Sequence, residues 1–172
     1  MAGESELDRV FSLAYEELRR LAASVRRNDP AATLTPTDLV NEAWLKLRNS
    51  PGLAATSRVH FKRVAARAMR QVLIEAARRR KAGKRGSGQV LATFDDAVDG
   101  VPESADDLLA LNEALDDLAR LHPRQAALVE SRFFGGLEML EIAELLDVSE
   151  ATVLRDWRAA RAWLARELRR TA

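Results

Sequence analysis

Ile142, Ala143 and Leu146 share one face of a short segment, and Val153, Trp157, Ala160, Leu164 and Leu168 follow at steps of four, three, four and four. Such spacing predicts two amphipathic helices, because 3.6 residues per turn returns every third or fourth side chain to the same face. Between them, Asp147 occupies the position where the chain must turn, Val148 closes the corner and Ser149 can start the second helix. A serine there accepts a hydrogen bond from the Thr152 amide, one of the donors a helix leaves open at its start. The pair reads as a helix-turn-helix. No strand pattern longer than a few residues occurs elsewhere, so the chain is expected to be all-α.

A helix-turn-helix can lay the start of its second helix in the major groove, where arginine pairs with a guanine edge. Arg155 and Arg158 lie off the apolar stripe and, with Ser149 and Thr152, are the candidate DNA contacts. The plain alternative is a helical hairpin with solvated arginines. Asp147 holds the turn position usually given to glycine, although aspartate tolerates left-handed backbone better than most residues. Asp156, on the second helix, is expected to repel a nearby phosphate.

Upstream, Leu7, Val10, Phe11, Ala14, Leu18, Leu21, Ala22 and Val25 keep helical spacing from Glu4 to Arg27, and Asn28, Asp29 and Pro30 end that helix. Thr35, Pro36, Thr37 and Asp38 form a second start signal, with threonine as cap, proline in the first turn and aspartate three residues on. The helix they begin runs to about Arg48 and buries Leu39, Val40, Ala43, Trp44 and Leu47, while Asn41, Glu42, Leu45, Lys46 and Arg48 lie wholly or partly outside that face. A loop from Asn49 to Thr56 leads to a third helix, from about Ser57 to Lys81, with Phe61, Val64, Ala65, Ala68, Met69, Val72, Leu73 and Ala76 facing inward.

Charge is segregated along the 172 residues in a way the net value of +1 conceals. Between Arg58 and Arg85, Glu75 is the only acid among many cations, and Arg63, Arg67 and Arg70 share a flank that Arg78 and Arg79 extend. With so few internal partners, these cations point to a nucleic-acid backbone, the alternative being a solvated basic helix. From Gly86 to Asp107 the sign reverses: Asp95, Asp96, Asp99, Glu103, Asp106 and Asp107 occur with no lysine or arginine. Gly86 and Gly88 open a flexible linker there, and Ser104 with Asp107 has capping-box spacing. Leu108, Leu111, Leu115 and Leu118 mark a fourth helix, and Pro123 starts a fifth that carries Leu128, Val129, Arg132 and Phe133. The chain therefore divides into a helical domain over 1–85, an acidic linker over 86–104 and a helix-turn-helix domain over 105–172.

Several classes are set aside by composition. With no cysteine there is neither a disulfide framework nor a thiolate metal site, and the absence of an early apolar run argues for a cytoplasmic protein without a membrane partner. His60 and His122 are the only histidines, no glycine-rich phosphate loop occurs, and neighbouring acids such as Asp116 and Asp117 point in different directions from a helix. No enzyme and no cofactor are expected.

Together the motifs resemble a bacterial sigma factor of the extracytoplasmic-function (ECF) group, over nearly the whole chain. DLVNEAWLKL, from Asp38 to Leu47, is similar to that family's core-polymerase helix. HFKRVAARAMRQVLIEAARRRKAGKRG resembles the segment that binds and opens the −10 element, and LHPRQAALVESRFFGGLEMLEIAELLDVSEATVLRDWRAAR the domain that reads the −35 element. The resemblance implies contacts with core RNA polymerase from Asp38, Asn41, Glu42, Trp44, Leu45 and Arg48. It implies −10 contacts from Arg63, Arg67, Arg70, Arg78 and Arg79, and −35 contacts from Ser149, Thr152, Arg155 and Arg158. Opening about ten steps of duplex at about 1.4 kcal/mol each exceeds the roughly 4 to 10 kcal/mol that separates specific from non-specific binding, so a polymerase partner is required. Two readings compete with this one: a stand-alone helix-turn-helix regulator that binds duplex tightly by itself, and a helical adaptor for protein partners.

HFKRVAARAMRQ and TVLRDW also resemble a subgroup often encoded near serine/threonine kinases, and the sequence leaves open whether regulation is by phosphorylation or by an anti-sigma factor. In the family the start of the polymerase helix is often acidic, whereas here Asp38 is the only acid in the first turn, so core binding is expected to need help. Phosphorylation in the loop before the basic helix would supply negative charge, with Thr56 the preferred acceptor and Ser50 and Ser57 the others. Leu154 and Asp156 stand where basic residues are common, which implies an upstream sequence of its own.

Overall fold

The computed structural model describes residues 8, 9, 11, 12, 15, 16, 19, 22 and 23, then 35–49, 57–83 and 105–171. All are helical or in short turns, and no strand occurs among them. Six helices follow in order: α1 (Pro36–Leu47), α2 (Arg58–Gly83), α3 (Ala105–Leu121), α4 (Pro123–Gly135), α5 (Met139–Leu146) and α6 (Glu150–Thr171). The described positions between 8 and 23 are also helical, with Ala22 buried and Phe11 packed on the core. The predicted linker and the Ser104 cap lie outside the described residues.

Local sequence explains most helix ends. Thr35 caps α1: its hydroxyl accepts from the Asp38 amide at 3.1 Å, and the Asp38 carboxylate accepts from the Thr35 N–H at 2.8 Å. Pro123 opens α4, where a missing amide costs nothing. Gly136 ends it at φ 64°, a left-handed conformation that costs glycine little. Asp147 takes the same region at φ 52°, ψ 49° and caps α5, so aspartate does serve at the turn.

The organising element is α2, which packs on α1 along one side and on α3, α4 and α5 along the other. The face expected to be inward is buried at Phe61, Ala65, Ala68, Met69, Val72 and Leu73, with Val64 and Ala76 only half-buried. A second, unexpected stripe is buried too: Lys62, Ala66, Ile74 and Ala77. Residues 62, 66, 70 and 74 are one helical row, and that row meets the C-terminal helices. Periodicity pointed to a single apolar face because a lysine and an arginine interrupt the second. The two helices approach closely at Gly135, where an added Cβ would lie 2.8 Å from the Ala66 Cβ and 3.3 Å from the Lys62 carbonyl oxygen. Only a residue without a side chain lets α4 sit that near α2.

The C-terminal helices close on one another as well. Leu111, Leu115 and Leu118 of α3, Leu128, Val129 and Phe134 of α4, Ile142 of α5, and Val153, Ala160 and Leu164 of α6 join one apolar cluster with the α1 and α2 residues. Trp157 and Leu168, read as part of the α6 stripe, are half-buried at its margin.

Candidate nucleic-acid and polymerase interfaces

The turn between α5 and α6 is held by backbone and side chain together. The Asp147 and Val148 amides donate to the Glu144 and Ala143 carbonyls at 3.2 and 3.1 Å, and the Thr152 amide donates to Ser149 Oγ at 3.2 Å. Ser149 Oγ and Thr152 Oγ1 also lie 3.0 Å apart, so both hydroxyls take part in the cap. Arg155 and Arg158 are exposed on the face opposite Val153 and Ala160, together with Ala151, Leu154 and Ala159. This is the surface a helix-turn-helix offers to a major groove.

Asp156 behaves otherwise than its sequence position suggested. It is buried, and its carboxylate accepts from Arg124 Nε of α4 at 2.6 Å. That hydrogen bond, reinforced by the aspartate's charge, holds the Arg124 guanidinium above its ordinary range. The carboxylate therefore ties α6 to α4 and does not face the groove. An acid one step from an apolar stripe reads as solvent-facing from sequence alone; the arginine that receives it comes from another helix.

Four of the five candidate −10 residues, Arg63, Arg67, Arg78 and Arg79, are exposed along α2. Arg70 is drawn to the other flank, with its side chain only 14% accessible. Its Nη1 donates to Glu130 Oε2 at 2.7 Å, Nε to Asn112 Oδ1 at 2.9 Å, and Nη2 to the Asn112 carbonyl at 3.0 Å and Asp116 Oδ1 at 2.8 Å. Four bonds nearly exhaust the five N–H donors of a guanidinium. A cleft of about 240 Å³ opens beside it, lined by Arg67, Gln71, Arg78 and the same acids. Two turns back along the row, Lys62 Nζ meets Glu141 Oε1 at 3.0 Å with its side chain 7% accessible. Burial raises the Glu141 carboxyl, but the Glu138 amide, the Lys62 bond and the charges of Lys62 and Arg58 outweigh it and leave it below its usual value.

On α1, Leu45 is 55% exposed, an uncovered apolar side chain on the helix expected from sequence to meet polymerase, with Asn41 and Arg48 exposed around it. Glu42 and Trp44 are half-buried. Trp44 stacks on Phe11 at 4.2 Å between ring centroids, so part of its surface serves the core. The Asp38 carboxylate, 2.6 Å from Thr35 Oγ1, is engaged in the cap. Lys46 pairs with Glu75 at 3.0 Å, which gives the single acid of the basic segment a partner on α1. Ser50 and Thr56 lie outside the described residues; Ser57 Oγ accepts from the His60 amide at 3.2 Å and caps α2.

Among the described residues, no group of three or more histidines or acids could hold a metal ion, and no helix is long and apolar enough to cross a membrane. A basic helix and a helix-turn-helix thus stand on one chain beside a helix with an exposed leucine. A model of the ECF sigma factor family matches residues 2–170. The chain belongs to that family. No curated protein and no solved structure matches it. As an ECF sigma factor it serves transcription initiation, with core RNA polymerase and promoter DNA as partners.

The inward placement of Asp156 in this sigma factor has a measurable consequence. Asp156→Ala should lower the thermal midpoint, because it strips Arg124 of its partner, and should leave affinity for upstream promoter duplex unchanged. A clear gain in duplex affinity without loss of stability would show the carboxylate facing phosphate after all.

Proposed function

We propose that this sigma factor divides promoter recognition between two surfaces and docks on polymerase through a third. Arg155 and Arg158, with Ser149 and Thr152 fixing the start of α6, read the −35 element. Arg63, Arg67, Arg70, Arg78 and Arg79 bind the −10 element, mostly through its backbone. Leu45, with Asp38, Asn41, Glu42, Trp44 and Arg48, contacts core polymerase in the cytoplasm. The observation that carries the docking surface is Leu45, a large apolar side chain left in solvent on a helix whose other aliphatic residues, Leu39, Val40, Ala43 and Leu47, are buried. Such a side chain at the centre of a small patch, ringed by polar residues, has the composition of a binding hot spot.

Run-off transcription with purified core polymerase on pooled bacterial promoters tests the reading. The wild-type chain should direct specific starts, at low yield until it is phosphorylated, and a folded Leu45→Ala/Arg48→Ala variant should bind core at least about tenfold more weakly, a change of about 1.4 kcal/mol. Wild-type core affinity in that variant would remove the docking surface; tight promoter binding by the chain without core would favour a stand-alone regulator.

Base reading and backbone binding leave different traces. Arg155→Ala should cost about 1 to 3 kcal/mol at one base pair of the −35 element if the guanidinium holds a guanine edge. Arg67→Ala should weaken binding by a similar factor for every sequence. Equal losses on all upstream sequences would make Arg155 a phosphate contact.

Regulation by a serine/threonine kinase follows from the same surface. Asp38 is the one acid in the first turn of α1, and it is tied to Thr35. Phosphate at Thr56 would add about 1.5 to 2 negative charges just before α2, whose first turn holds no acid and begins with Arg58. Ser57 already caps α2, and so is a poorer acceptor than Thr56. Transcription with core should be low for the unmodified chain and higher for Thr56→Glu, whereas equal full activity in wild type and Thr56→Ala would exclude this control and leave an anti-sigma factor as the regulator.

A further inference from the structure

We propose that Leu154 reads a thymine of the −35 element through its C5-methyl group, beside the base that Arg155 holds. The inference deepens the −35 reading of α6 given above and rests on it. Leu154 is a large aliphatic side chain left exposed between Val153 and Asp156, both of which are buried. Val153 belongs to the apolar cluster and Asp156 is bonded to Arg124 of α4, so α6 cannot roll to cover the leucine. Ala151, Leu154, Arg155 and Arg158 are all exposed and follow at steps of three, one and three, which gathers them on one outward side.

Charge on that side names the occupant. Of the three acids in α6, Asp156 is buried against Arg124, and Glu167 accepts from Arg170 at 3.1 Å. Glu150 stands exposed at the first residue, where the helix dipole favours a carboxylate. Beyond it the outward side carries only cations and small or apolar groups, a surface complementary to duplex DNA. The Ser149 and Thr152 hydroxyls are engaged in the cap, so reading at the start of the helix falls to the side chains that follow.

The chemistry of the groove floor then selects the base. Purines and cytosine present hydrogen-bonding groups there, and thymine presents its O4 together with a C5-methyl, the one apolar group on the floor. An aliphatic side chain laid over an exocyclic amine strips water from a donor and returns no partner. Laid over the methyl, it buries apolar surface on both sides. Successive residues leave a helix about 100° apart and about 1.5 Å apart along its axis, against about 3.4 Å per base pair, so the thymine lies within about two base pairs of the guanine that Arg155 contacts. Ala151, one turn earlier, has no bulk to hold the start of α6 away from the floor.

Holoenzyme assembled from core polymerase and the full chain tests this on a promoter from which it starts in the run-off assay. Deoxyuridine, which pairs as thymine does but lacks the methyl, replaces each thymine of the upstream element in turn, on both strands. At one position the wild-type holoenzyme should lose affinity about fourfold, the factor that burial of one methyl supplies. A promoter with 5-methylcytosine there should bind more tightly than one with cytosine. Leu154→Ala should bind the thymine and deoxyuridine promoters equally, and Leu154→Met should restore the difference. Leu154 is exposed, so both variants should fold, which circular dichroism and wild-type affinity for core verify. Specific starts that ignore the methyl at every upstream thymine, or a methyl effect that persists in Leu154→Ala, overturn the proposal and leave the sigma factor reading standing. A holoenzyme that starts at no promoter overturns both.

Discussion

The contact of Gly135 with Ala66 is the constraint on which the arrangement of this protein depends. A glycine at the last turn of α4 and an alanine on α2 bring two helices so close that a Cβ on the first would fall inside van der Waals contact of the second. Once they are that close, the side chains one turn away on α2 have little choice of environment. Lys62 and Arg70 are carried into the junction with Ala66. A buried cation without a partner costs several kcal/mol, so the acids Glu141, Glu130 and Asp116 are as necessary to the contact as the small residues at its centre.

This makes α2 a shared helix. One side completes the N-terminal group through Val40, Ala43, Leu47, Phe61 and Met69, and the other is roofed by the C-terminal helices. Its exposed flank leaves Arg63, Arg67, Arg78 and Arg79 facing solvent. One helix thus carries a flank of exposed cations and a flank of neutralised ones. The neutralised face contributes order to the free chain; the free face keeps its long-range attraction for nucleic acid.

The helix-turn-helix follows a different logic, in which polar groups are used locally. Ser149 and Thr152 satisfy the start of α6, Asp147 supplies the left-handed turn, and Asp156 braces α6 against Arg124. None of these makes the groove-facing surface sticky for other proteins, and Arg155 and Arg158 remain directed outward. The bracing groups and the exposed arginines thereby occupy separate faces of one helix.

Local rules were enough to read the described helices, the caps and turns at several of their ends, the helix-turn-helix and the resemblance to ECF sigma factors, because caps, turns and 3.6-residue periodicity act within about four residues. The Thr35 and Ser149 caps, the Pro123 start and the Asp147 turn all stand where sequence put them. What only tertiary structure decided is which charges are spoken for. Arg70 and Arg67 have the same chemistry and lie three residues apart, yet one is bound by three side-chain or backbone partners from α3 and α4 and the other faces solvent. Asp156 was read as an obstacle to DNA and is a brace, for the same reason: its partner lies 32 residues away on another helix. A side chain's local spacing fixes the direction in which it leaves its helix, but its electrostatic fate depends on what the rest of the chain brings to meet it.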